Sequence, residues 1–152
     1  MFFVADGQEY KKNCIRERIV KEPMMAVLLA AVNFEWTVSR CILFFSSTPN
    51  VDLRKTLSGC HGLDKYKELW KSELVGIDPT IPPLVQVVGN WSILREAFNL
   101  RHVLIHGRGT CSRNMATDPV EAMLSATDAL YEFSLSRGVD LQSRLPIRRK
   151  KR

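Results

Sequence analysis

Along most of this chain apolar residues return every third or fourth position, and no stretch alternates strictly between apolar and polar. A repeat near 3.6 residues marks amphipathic helix, and a repeat of two marks a half-buried strand. The chain is therefore expected to be all-α. From Pro23 to about Phe45, residues Leu28, Ala31, Val32, Glu35, Val38, Ile42 and Phe45 fall close to one helical face. A helix over about 9–20 is expected before Pro23, because proline fits the first turn of a helix and disrupts an interior.

Ser46 to Asn50 reads as a loop, and a short helix is expected near Asp52 to Leu57, ended by Gly59 and Gly62. Leu63 to Val75 is a clearer helix, with Tyr66, Leu69, Trp70 and Leu74 on one face. Gly76 to Pro83 is a break. The next helix is expected from Leu84 to His106, stopped by Gly107. After a polar loop over 107–117, Asp118-Pro119-Val120-Glu121 has the form of a capped helix start, and that helix should end at Gly138. The expectation is an up-and-down helical bundle of four principal helices plus one or two short ones.

The chain has 152 residues, 45% hydrophobic and 25% charged, the composition of a single globular domain. Its net charge of +6 is concentrated at one end. Beyond Asp140 stand Arg144, Arg148, Arg149, Lys150, Lys151 and Arg152 without an acid, and the body before them is formally neutral. The division expected is a helical domain over 1–140 and a basic tail over 141–152. Such a tail attracts phosphates or serves as a solvated end.

Cys14, Cys41, Cys60 and Cys111 form no C-x-x-C pair, and Cys60-His61 is a single adjacency. No metal site and no cofactor are expected, and the cysteines read as the reduced thiols of a cytoplasmic protein. Met1-Phe2-Phe3-Val4 meets Asp6 at once, unlike a secretory leader, and the apolar run from Met24 to Val32 is too short for a bilayer. A soluble protein with no membrane partner is expected.

The helix expected from Leu84 to His106 has two apolar stripes. Leu84, Val87, Val88, Trp91, Leu94, Phe98 and Ile105 form one, and Ile93, Ala97, Leu100 and Leu104 the other. A helix apolar on two sides must be covered on two sides; one can face the core, and a second subunit is a candidate cover for the other. Arg95, Arg101, His102 and His106 intrude on the first stripe's half, towards the C-terminal end. Charge among apolar neighbours suggests a cleft or interface, or else salt bridges within the bundle.

The segment Leu94-Arg-Glu-Ala-Phe-Asn-Leu-Arg-His-Val-Leu-Ile-His-Gly107 resembles the signature helix of HEPN domains. That motif is an arginine, usually followed by a polar residue, with a histidine four to six positions on. Here Arg101 is followed by His102, and His106 closes the motif before Gly107. His102 stands where asparagine is commoner, and no tyrosine follows His106 closely.

The resemblance implies a metal-independent endoribonuclease. His106 would be the general acid or base, Arg101 the phosphate clamp, and His102 its orienting partner or a second acid–base group. The products implied are 2′,3′-cyclic phosphate and 5′-OH ends. It also implies RNA as partner, a homodimer with the motif helices at the interface, and a toxin or antiviral defence role with an antitoxin or other regulator. On an ideal helix Arg101 and His106 point about 140° apart, so arginine's length, fraying at Gly107 or a facing protomer must bring them together.

Arg95, Asn33 and Glu35 are the candidates for substrate binding or for supporting the motif, although a surface role for Glu35 and a capped or solvated Asn33 fit equally. Arg108 reads as surface charge. Trp36, Trp70 and Trp91 fit core packing by their spacing, with base stacking as the functional alternative. Two other readings stay open. One is a non-catalytic HEPN module for dimerisation or partner binding. The other is a helical DNA-binding regulator, with Lys65, Lys67 and Lys71 on the best candidate recognition helix.

Overall fold

A computed structural model describes residues 7–149. The residues Met1 to Asp6, where a leader was sought, and Lys150, Lys151 and Arg152 of the basic end lie outside the described residues. Among the described residues the regular structure is all helical. It comprises α1 (Gln8–Lys21), α2 (Pro23–Phe45), α3 (Asn50–Ser58), α4 (Leu63–Trp70) continued by a π-helical turn (Lys71–Val75), α5 (Leu84–Val88), α6 (Trp91–Ile105) and α7 (Arg113–Ser136). The chain divides into two compact units. One holds the described residues up to Trp36 with Asn90–Asp128, and the other holds Thr37–Gly89 with the chain from Ala129 onward.

In the first unit Ile15 and Ile19 of α1, Ala26, Val27, Ala30, Ala31 and Phe34 of α2, Leu94, Ala97, Phe98 and Leu104 of α6, and Ala116, Val120, Met123 and Leu124 of α7 are buried. The Phe34 and Phe98 rings meet edge to face, 5.5 Å between centroids, the arrangement that aromatic quadrupoles favour. The buried face of α2 matches the expected one in part: Ala31, Val38 and Ile42 are fully buried. Val32 is 47% exposed, whereas Asn33 is fully buried. A helix apolar nearly all round gives a weak directional signal, and the small alanines pack where neighbours approach closely. By length and composition α2 could also cross a bilayer, and 56% of its most apolar window is buried within this protein.

Polar groups fasten α1 to α7. Arg16 grips Glu121 with two bonds of 2.8 Å, and Lys12 reaches Asp128 at 2.8 Å. Glu121 therefore does not serve as a capping-box residue. Helix α7 begins five residues before Asp118, with Pro119 inside it. The hydroxyl of Ser112 accepts the Met115 N–H at 3.3 Å, which is the N-cap bond, so the cap lies upstream of the proline.

The second unit buries Tyr66, Leu69, Trp70 and Leu74 of the α4 face, with Val38, Ile42, Leu53, Leu84, Leu130 and Leu141. The Trp70 indole N–H donates to the Pro82 carbonyl at 3.0 Å. The π-helical turn closes with Gly76 N–H bonded to Lys71 O at 2.8 Å. Residues 141–149, grouped above with the basic tail, are held to this unit. Arg148 donates to the Leu43 carbonyl near the end of α2 and to the Thr48 carbonyl in the loop beyond it, and Arg40 donates to those of Leu141 and Ser143. All four cysteines are free thiols. Burial pushes the Cys41 thiol up to about 12.

The helix expected from Leu84 to His106 is two helices. Gly89 breaks it at φ 75° and ψ −114°, a conformation costly for any residue with a Cβ. The break leaves α5 in one unit and α6 in the other.

Candidate functional site

Helix α6 has one buried stripe. Leu94, Ala97, Phe98 and Leu104 face the core of their unit. At about 100° per residue, Arg101 falls in the middle of that stripe. A guanidinium there needs a partner, and the Glu35 carboxylate of α2 meets it at 3.5 Å, with side chains 24% and 18% exposed. Glu35 is thus no plain surface residue. The pair lies beside the Phe34–Phe98 contact, because Glu35 follows Phe34 and Arg101 follows Phe98 by one turn.

The other ionisable residues of α6 and its cap, Glu96 among them, lie towards solvent. Arg95, His102 and His106 are all exposed, and so is Asn99 between them. The spacing of four, three and four residues puts them on one ridge about 60° wide. Its C-terminal end carries the two imidazoles, whose ring centroids lie 4.4 Å apart at 63°. The second apolar stripe is only partly covered. Ala97 and Leu104 are buried, but Ile93 is 47% exposed and Ile105, of the first stripe, 50%.

The end of α6 is closed rather than frayed. Gly107 has φ 62°, its N–H bonds to Leu104 O at 3.1 Å, and the Arg108 N–H bonds to Val103 O at 3.0 Å. This is a Schellman motif, which satisfies carbonyls that a helix end would leave unpaired. His106 is the C-cap residue, its N–H bonded to His102 O at 3.2 Å. Local order therefore fixes both backbone positions from which the imidazoles project.

The structure thus brings together Arg101 with Glu35, and His102 with His106. It places Arg95 on the ridge, Asn33 in the core, and Arg108 on the surface. Trp70 is fully buried, while Trp36 and Trp91 are half-buried, with the Lys11 ammonium 4.1 Å over the Trp36 ring. Sequence reasoning passed over Asn99, although its place between Arg95 and His102 at helical spacing was a usable signal. No group of three or more His, Cys, Asp or Glu side chains among the described residues is placed to hold a metal ion.

Two exposed imidazoles one turn apart can accept a proton at one nitrogen and deliver one at another. A part-exposed guanidinium on the same helix can reach an anion while keeping its carboxylate partner. No family model, no curated protein and no solved structure matches the chain.

Proposed function

We propose that this protein is a HEPN-type endoribonuclease that cuts RNA without a metal. The observation that carries the reading is the exposed, edge-to-face pair of His102 and His106 at the closed end of α6, on the helix that holds Arg101. In the reaction one imidazole takes the proton of the 2′-OH, and the 2′ oxygen attacks phosphorus. The bond to the 5′ oxygen breaks, and the other imidazole protonates that leaving oxygen. The products are a 2′,3′-cyclic phosphate and a 5′-OH. The Arg101 guanidinium, part-exposed beside Glu35, is assigned to the charge that develops on the phosphoryl oxygens, and because it lies well round the helix from the imidazoles of its own protomer it would meet those of a facing one. A two-fold dimer of HEPN-like bundles, apposing the part-covered apolar side of α6, would supply the partner's motif to the same groove. A toxin or defence role in the cytoplasm, restrained by a regulator, belongs to this reading.

The test is cleavage of total RNA by purified protein with chelator present, comparing the parent with Arg101→Ala, His102→Ala and His106→Ala. Cyclic-phosphate ends from the parent, and their loss in the histidine variants at unchanged helicity, are expected. Cleavage that persists in the His102→Ala, His106→Ala double variant would sink the assignment. The Arg101–Glu35 bridge favours a second reading, a non-catalytic module in which Arg101 is structural. An inert parent protein at every concentration would select it.

A further inference from the structure

The exposed ridge of α6 continues well beyond the histidines. Trp91, half-buried, begins the helix and lies one turn before Arg95. The order Trp91, Arg95, Asn99, His102, His106 keeps to one side of the helix, within about 80°. At about 1.5 Å per residue, Arg95 lies roughly 10 Å along the axis from His102, and Trp91 roughly 16 Å. An aromatic ring, a fixed cation, an amide and two imidazoles in line have the makeup of a track for a single strand: a stacking surface, a phosphate clamp and the reacting groups.

We infer that the α6 ridge is an extended subsite for single-stranded RNA, with Arg95 holding a backbone phosphate and Trp91 stacking a base, about two to three nucleotides from the scissile bond. The inference rests on the nuclease reading for its choice of RNA and goes beyond it in naming the strand form and the residues that set its length. Asn99 lies between clamp and imidazoles, where its amide reaches a sugar hydroxyl or phosphate oxygen of the intervening nucleotide. A strand laid on a straight ridge must be free to extend, and in-line attack by a 2′ oxygen also needs a backbone released from the A-form helix. Duplex RNA meets neither condition. Arg95 is a specificity residue here and takes no part in the proton transfers.

The experiment separates binding from cleavage. Labelled 2′-O-methyl oligonucleotides, which lack the nucleophile, are titrated by anisotropy against the parent, Arg95→Gln and Trp91→Leu, each checked by circular dichroism. The parent should bind a six-nucleotide strand at least tenfold more tightly than a two-nucleotide one. Arg95→Gln should cut that advantage below threefold and reduce the slope of log affinity against log salt by about 0.7. Trp91→Leu should lower affinity for the longer strand without changing the salt slope. Equal affinity for both lengths, or a full length advantage kept by Arg95→Gln, overturns the inference. The unmodified six-nucleotide RNA is then assayed for cleavage, single-stranded and as a duplex. Length-dependent, Arg95-dependent binding without cleavage removes the nuclease reading and leaves the track. Cleavage that ignores length or prefers the duplex removes the track and leaves the nuclease.

Discussion

The Arg101 guanidinium, in the core-facing stripe of α6, meets the Glu35 carboxylate of α2 at 3.5 Å. The motif arginine therefore has a structural task whatever its chemistry. Removing either partner takes the opposite charge away from the other in a poorly solvated place. Glu35→Ala and Arg101→Ala should each lower stability by about 1–3 kcal/mol, and the double variant should lose less than the two added together. Denaturant unfolding of all four proteins measures this, and strict additivity would show that the bridge carries no coupling.

Catalysis separates the two roles of Arg101. Glu35→Gln keeps the shape and frees the guanidinium, so RNA cleavage should persist within about tenfold, while Arg101→Lys should lose at least about a hundredfold in kcat. A lysine variant as active as the parent would remove the phosphate clamp from the mechanism.

His106→Ala and His102→Ala should each lower kcat by about 10²–10⁴ with little change in stability, since both side chains are exposed. Single-turnover cleavage in excess enzyme reads the chemical step directly. Loss of only one histidine's effect would reduce the pair to a single acid–base group.

Gly107→Ala tests the Schellman closure. Nothing lies near the added methyl group, but φ is 62°, so the cost is conformational and should be about 1 kcal/mol. Because His106 is the cap residue, cleavage should fall by more than the change in folded fraction explains. Full activity in a folded variant would show that the cap does not position the imidazole.

Glu121 gives a pH-dependent prediction. Its bonds to Arg16 hold its carboxyl below the ordinary value of 4.5. A depressed folded value contributes stability above the unfolded value, and that contribution disappears as pH falls through the folded one. Both side chains are more than a third exposed, so the contribution at neutral pH should stay under about 1 kcal/mol. Glu121→Gln should therefore melt slightly below the parent at pH 7, and the two curves should converge as pH drops below 4.5. A gap that widens in acid would refute the assignment.

The all-helical character and most helix limits were legible because they follow from local properties. Pro23 opens α2, the α4 face repeats Tyr66, Leu69, Trp70 and Leu74, and the glycines at 107 and 138 end α6 and α7. The Gly89 break was missed because apolar spacing runs unbroken across it, and a periodicity averages over a single residue's dihedral angles. The start of α7 was misplaced because Asp118 and Pro119 carry the local signal, while Ser112 holds the cap bond.

By its own order of residues the chain determined that His102, His106 and Gly107 stand together at a helix end, since spacing along a helix sets separation and one glycine sets the stop. Only the tertiary structure decided that Arg101 turns inward to Glu35 while the imidazoles face solvent. The side of α6 that is buried depends on which helix packs against it, and two apolar stripes on one helix leave that choice to packing.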